Sequence, residues 1–113
     1  MGKSKRKIPT FRLSITENVN YDYIATIPEI KEAVMEETVN AIKDGVHTKK
    51  KKISLFSLAN SDYYIELEKR QWKSSLQHAL DYYVKTEDYN KCIECRDLIQ
   101  KLSYEQNTRR THQ

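Results

Sequence analysis

The chain has 113 residues, a net charge of +4 and a pI near 9.0, with 38% apolar and 32% charged residues. That length fits one domain with a modest core, and no apolar run approaches the ~20 residues needed to span a bilayer. Two glycines and two prolines set against eight tyrosines describe a chain poor in turn formers and suited to long helices, with rings that are apolar in body and polar at the tip.

Residues 1–7 read as a flexible basic arm. Lys3, Lys5, Arg6 and Lys7 are candidates for phosphate contact, against the plainer role of a solubilising tail. Thr10, Arg12 and Ser14 interrupt the apolar residues that follow, so no secretory core is formed. Arg6 stands where N-myristoylation requires Ser or Thr. The compartment expected is cytoplasmic, or the inside of a viral particle.

From Ile8 to Thr16 apolar and polar residues alternate, with Phe11, Leu13 and Ile15 on one side. Period two predicts a half-buried strand with Pro9 at its start or on an edge. Glu17 to Ala25 reads as a loop held to the body by Val19, Tyr21, Tyr23 and Ile24. Thr26 with Glu29 forms a capping box and Pro28 suits a first turn, which predicts a helix carrying Ile30, Val34, Thr38, Ala41 and Ile42 on its inner face. Gly45 is the expected left-handed stop. The glutamates Glu29, Glu32, Glu36 and Glu37 read as a solvated face.

Lys49, Lys50, Lys51 and Lys52 make the densest charge run and a second candidate for nucleic acid. Ile53 to Leu58 then reads as a second strand. Two strands around one helix form either a βαβ unit or a small two-stranded sheet, and the sequence leaves parallel and antiparallel pairing open. The run Lys52-Ile53-Ser54-Leu55-Phe56 also resembles the short Gln-Leu-Ser/Asp-Leu-Phe peptide that docks on the bacterial DNA sliding clamp, with Lys52 in place of the Gln. The strand is the default.

A long helix is expected from near Asp62 to Lys85, with Ile65, Trp72, Leu76, Ala79, Leu80 and Tyr83 on one stripe and Glu66–Arg70 as a same-face ion pair. Thr86 or Asp88 caps a second helix whose stripe is Tyr89, Cys92, Ile93, Arg96, Ile99 and Leu102. The short connection makes them antiparallel neighbours. Residues 87–102, from Glu87-Asp88-Tyr89 through Arg96-Asp97 to Ile99 and Leu102, resemble the second half of the UVR motif. This helical hairpin occurs in the excision-repair proteins UvrB and UvrC and in some chaperone and kinase-adaptor proteins. Cys92, Ile93 and Cys95 replace its small residues and leucine. The resemblance implies a protein-binding hairpin without catalysis. The candidate partner contacts are Trp72, Tyr82, Tyr83, Tyr89, Arg96 and Asp97. Arg96 is weighed equally as a register-fixing residue in the helix seam.

Cys92 and Cys95 have the spacing of a metal or redox pair. His47, His78 and His112 stand singly, so zinc lacks its remaining ligands. The cysteines also lie inside the helix rather than at its N-terminus. They are expected to be small core residues, with no metal and no cofactor. The phosphate loop of the repair helicases is missing. Ser103 to Gln113, with Arg109 and Arg110, reads as a basic disordered tail beyond a single domain over 8–103 whose hairpin occupies 62–103.

The expected fold is therefore α+β: a small two-stranded sheet with one helix, then a long antiparallel helical hairpin. The expected function is a non-enzymatic protein–protein interaction or adaptor module, binding another protein or its own copy through the hairpin. The alternatives are a basic accessory protein binding DNA or RNA, or a small structural component of a phage or other assembly.

Overall fold

A computed structural model describes residues 6–12, 24, 26–59 and 64–111, with side chains as far as residue 105. The chain divides into two compact units, Met1–Gln71 and Trp72–Gln113. The boundary falls at Trp72, later than the hairpin start expected at Asp62.

In the first unit, β1 (Thr10–Phe11), helix α1 (Lys31–His47) and β2 (Lys52–Leu58) form a parallel β–α–β unit, and β3 (Tyr64–Glu68) adds antiparallel to β2. The fold class is α+β as expected, but among the described residues the sheet is mixed and has three strands in the order β1-β2-β3. Only Thr10 and Phe11 of the expected Ile8–Thr16 strand pair, opposite Ser57 and Leu58; Leu13 to Thr16 lie outside the described residues. Pro9 stands just before β1, and its carbonyl accepts from Ser57 N–H at 2.8 Å. The Phe11 and Phe56 rings stack with centroids 4.5 Å apart, which adds about 0.5–1.5 kcal/mol beyond the area they bury.

Strand β3 corrects the helix expected from Asp62. Tyr64-Ile65-Glu66-Leu67-Glu68 alternates exposed and buried residues, with Ile65 and Leu67 inside. Glu66 faces Ser54 and Lys52 across the ladder, and Arg70 pairs with Glu68 at 2.8 Å instead of with Glu66. A bulge between Ser54 and Phe56 explains why Leu55 and Phe56, adjacent in sequence, are both buried.

Helix α1 begins one turn later than its capping box suggests. Thr26 to Ile30 is a turn whose Ile27 and Ile30 N–H groups bond to Ile24 and Ile27 carbonyls, and Ile30 is the N-cap residue without a side-chain cap. Ile24 is fully buried beside this turn. Within α1, Val34, Met35, Thr38, Val39, Ala41, Ile42 and Gly45 are buried, and the helix packs on β2. Buried Thr38 is satisfied by its bond to the Val34 carbonyl at 2.7 Å.

The second unit is an antiparallel hairpin. Its α2 (Trp72–Lys85) packs against α3 (Tyr89–Thr111). A 3-10 turn, Lys69–Gln71, precedes it, and the Gln71 side chain accepts from Glu68 N–H at 3.0 Å. This is the return half of a capping box. Asp88, rather than Thr86, caps α3 by accepting from Lys91 N–H at 3.3 Å. The backbone of residues 104–111, expected to be a disordered tail, continues α3.

Candidate interaction surfaces

Packing of α2 on α3 decides which hairpin side chains face outward. Trp72, Ser75, Leu76, Ala79, Leu80 and Tyr83 of α2 are buried, close to the expected stripe. On α3 the buried residues are Cys92, Cys95, Leu98 and Leu102. The α3 stripe is therefore rotated from the one expected: Cys95 and Leu98 turn inward, while Tyr89, Ile93 and Arg96 turn outward.

The candidate contacts separate accordingly. Trp72, with no exposed area, and Tyr83, with 4%, are core residues and are corrected as partner contacts. Both rings bring large apolar area, and burial is where that area stabilises most. Tyr82 is half-buried, its ring edge-on to Tyr83 at 5.3 Å. Tyr89 is 63% exposed, and Arg96 and Asp97 are both exposed. Arg96 thus does not lie in the helix seam. Ile93 is 55% exposed, so its size alters the outer surface rather than the spacing of the helices.

Tyr104, 73% exposed, was not among the sequence candidates. Its spacing from Tyr89, with Ile93 and Gln100 between them, was the available signal. At about 100° per residue, Tyr89, Ile93, Arg96, Asp97, Gln100 and Tyr104 fall within roughly 50° of one line along α3. That line runs opposite the buried stripe. Every exposed large apolar residue of α3 lies on it, and neither Arg96 nor Asp97 has an ion-pair partner among the described residues.

The basic candidates also separate. Arg6 belongs to no free arm. Its guanidinium donates to the Ser54 carbonyl at 2.7 Å, to the Leu55 carbonyl, and to Glu37 Oε1 at 3.1 Å. Its side chain is 13% exposed, and Nε is buried without a hydrogen-bond partner among the described residues. Three of the five guanidinium N–H groups are thus taken up within the protein, and Nε is buried. Lys7 is exposed, Lys3 and Lys5 lie outside the described residues, and the side chains of Arg109 and Arg110 are likewise not described.

Lys49, Lys50, Lys51 and Lys52 are all exposed at the α1–β2 connection. Lys50 stands 3.9 Å from Asp44 and Lys52 3.7 Å from Glu66, while Lys49 and Lys51 have no carboxylate within ion-pair distance among the described residues. Arg6, Lys50, Lys52 and Asp44 border a cleft of roughly 370 Å³ floored by Ala41 and Ile53. The clamp-like residues Ile53, Leu55 and Phe56 are buried in β2 and are not presented as a docking peptide.

Cys92 and Cys95 are free thiols inside the hairpin. Burial, followed by the charges of Glu94 and Cys92, pushes the Cys95 thiol up to about 11, against a smaller lowering by Lys91. A redox-active thiol needs the opposite shift. Among the described residues no group of three or more His, Cys, Asp or Glu is placed to hold a metal, and no helix is long and apolar enough to cross a membrane. No protein-family model, curated protein or solved structure matches the chain.

Proposed function

We propose that this protein is a non-enzymatic interaction module, an adaptor that presents the outer face of its UVR-like hairpin to another protein chain. The observation that carries this is the exposed line on α3: Tyr89, Ile93 and Tyr104 at 63%, 55% and 73% exposure, with Arg96 and Asp97 between them, neither in an ion pair among the described residues. Aromatic and arginine side chains supply most of the energy of protein contacts, and leaving three large apolar groups in water on one helix face serves no folding purpose. The triple variant Tyr89→Ser, Ile93→Ser, Tyr104→Ser tests it. After nuclease treatment of material from the natural source, the wild-type chain retains a protein partner and the variant loses it, with circular dichroism and thermal unfolding unchanged. Retention by the folded variant would overturn the reading.

A nucleic-acid accessory role is favoured by a different observation, the exposure of all four lysines at the α1–β2 connection. It requires nucleic-acid affinity that falls with salt, with a log–log slope of about −0.9 for each phosphate contact to duplex DNA. Replacing Lys49 to Lys52 by alanine would flatten that slope. An unchanged affinity and slope would remove the role.

A further inference from the structure

We infer that the partner of the outer α3 face is a second copy of the same chain, bound antiparallel across a two-fold axis that passes between Arg96 and Asp97. This rests on the proposed interaction role of the face and specifies what occupies it.

The face is self-complementary under reversal. Turning α3 end for end about the midpoint of Arg96 and Asp97 exchanges Tyr89 with Tyr104, Ile93 with Gln100, and Arg96 with Asp97. Every residue on the exposed line meets a residue on the same line, as an isologous contact requires. Charge complementarity supports a second copy as the occupant. At the axis each Arg96 meets the Asp97 of the other copy, forming two reciprocal pairs. Opposed charges fix register and orientation more than they add affinity, and these two have no ion-pair partner among the described residues. Asp88 and Glu105, which would face each other under the same operation, lie off the line by roughly 130° at 100° per residue and do not meet across the contact.

From Tyr89 to Tyr104 the face runs about 22 Å at 1.5 Å per residue. A single helix pair of that length buries less than the ~1,600 Å² of a standard interface, so association is expected in the micromolar range. The turn Thr86–Asp88 precedes Tyr89, and the helix continues past Tyr104 to Thr111, so both ends of the face have backbone support.

Sedimentation equilibrium of the full chain from about 10 to 500 µM reads the pairing, with Arg96→Asp and Asp97→Arg as probes. Both sites are exposed, so neither substitution disturbs the core. The wild type is expected to dimerise. Each single variant sets like charges against each other at the axis and weakens self-association at least ~10-fold. An equimolar mixture of the two singles regains a dimer, because the acidic copy then meets the basic one. The double variant R96D/D97R also regains it. A merely structural role for either residue would not produce rescue on mixing. A wild type that stays monomeric throughout, or singles that dimerise like the wild type, would overturn the second copy as occupant. In that event, loss of the nuclease-resistant partner by the triple serine variant would leave the interaction role standing, and retention would remove both.

Discussion

At Pro9 the parallel ladder lacks a donor. Ser57 N–H bonds to the Pro9 carbonyl and Ala59 N–H to the Phe11 carbonyl. In a regular parallel ladder the N–H of residue 9 would then address the Leu55 carbonyl, and proline has none. Arg6 donates to that carbonyl and to its neighbour at Ser54. It also reaches Glu37 on α1, so one fork ties the strand to its crossover helix. Arg6→Ala should cost about 2–3 kcal/mol, chiefly by leaving partly buried acceptors and Glu37 without their charged donor. The double variant R6A/P9A returns an N–H at residue 9 and should cost less than the two singles together by about 1 kcal/mol. Urea unfolding of the four proteins measures this coupling. Strict additivity would mean that Arg6 does not stand in for the missing rung. From the sequence, Arg6 is one of a run of four charges in five residues with nothing to mark it out. Its acceptors lie some 48 residues away, and no local pattern reports a contact of that separation.

Among the elements, the stops of α1 and α2 are made by side-chain-bearing residues in the left-handed region. Lys49 has φ 56° and Glu87 has φ 61°. Around each, the bonds are those of a Schellman stop: Lys50 N–H to Gly45 O and Lys49 N–H to Val46 O after α1, Asp88 N–H to Tyr83 O and Glu87 N–H to Val84 O after α2. A Cβ in this conformation costs roughly 1–2 kcal/mol. Lys49→Gly and Glu87→Gly should therefore each raise stability by about 0.5–1 kcal/mol after the glycine's larger unfolded entropy is subtracted. Shifts in urea midpoint at constant slope are the check, and a loss at either site would contradict the stop geometry. Gly45, expected to be the stop, is instead buried within α1 and supplies the carbonyl that the stop closes on. The location of the helix end near Gly45 was legible; the residue that makes the turn was not. The β3 error has a different cause. Ile65, Trp72 and Leu76 satisfy helical spacing while Ile65 and Leu67 satisfy period two, so one apolar residue serves both patterns. Gln71, three residues after Glu68, was the local sign that a helix starts there. On α3 the small polar and apolar residues left the seam's rotation undetermined by a stripe count. Cys95 was expected in the core and is there, but the stripe counted Ile93 in its place, and packing on α2 puts the smaller thiol inside.

For the molecule as a whole, alkaline pH exposes what burial of that thiol does. The Cys95 thiol titrates at about 11 in the folded chain against an ordinary 9.0, burial being the largest cause. Below pH 9 both states hold the proton and the thiol contributes no pH dependence. Between about 9 and 11 the unfolded chain has released its proton while the folded chain still holds it, so ionisation draws the equilibrium towards unfolding. The stability present at neutral pH is lost progressively as pH rises through this window, with a slope of at most about 1.4 kcal/mol per pH unit from one group. The difference between wild type and Cys95→Ala isolates the thiol. Urea unfolding at pH 7, 9 and 10.5, the steps bracketing the onset of that window, should show the wild type losing stability relative to the variant only at the upper end. Trp72, fully buried at the start of the hairpin, provides the fluorescence signal. A wild-type-minus-variant difference that stays constant from pH 7 to 10.5 would mean that the thiol reaches solvent in the folded chain. The α3 seam would then open on the side where Cys95 sits, and the outward placement of Tyr89, Ile93 and Tyr104 would lose its physical basis, since a helix turned to bring Cys95 to solvent carries the opposite face towards α2.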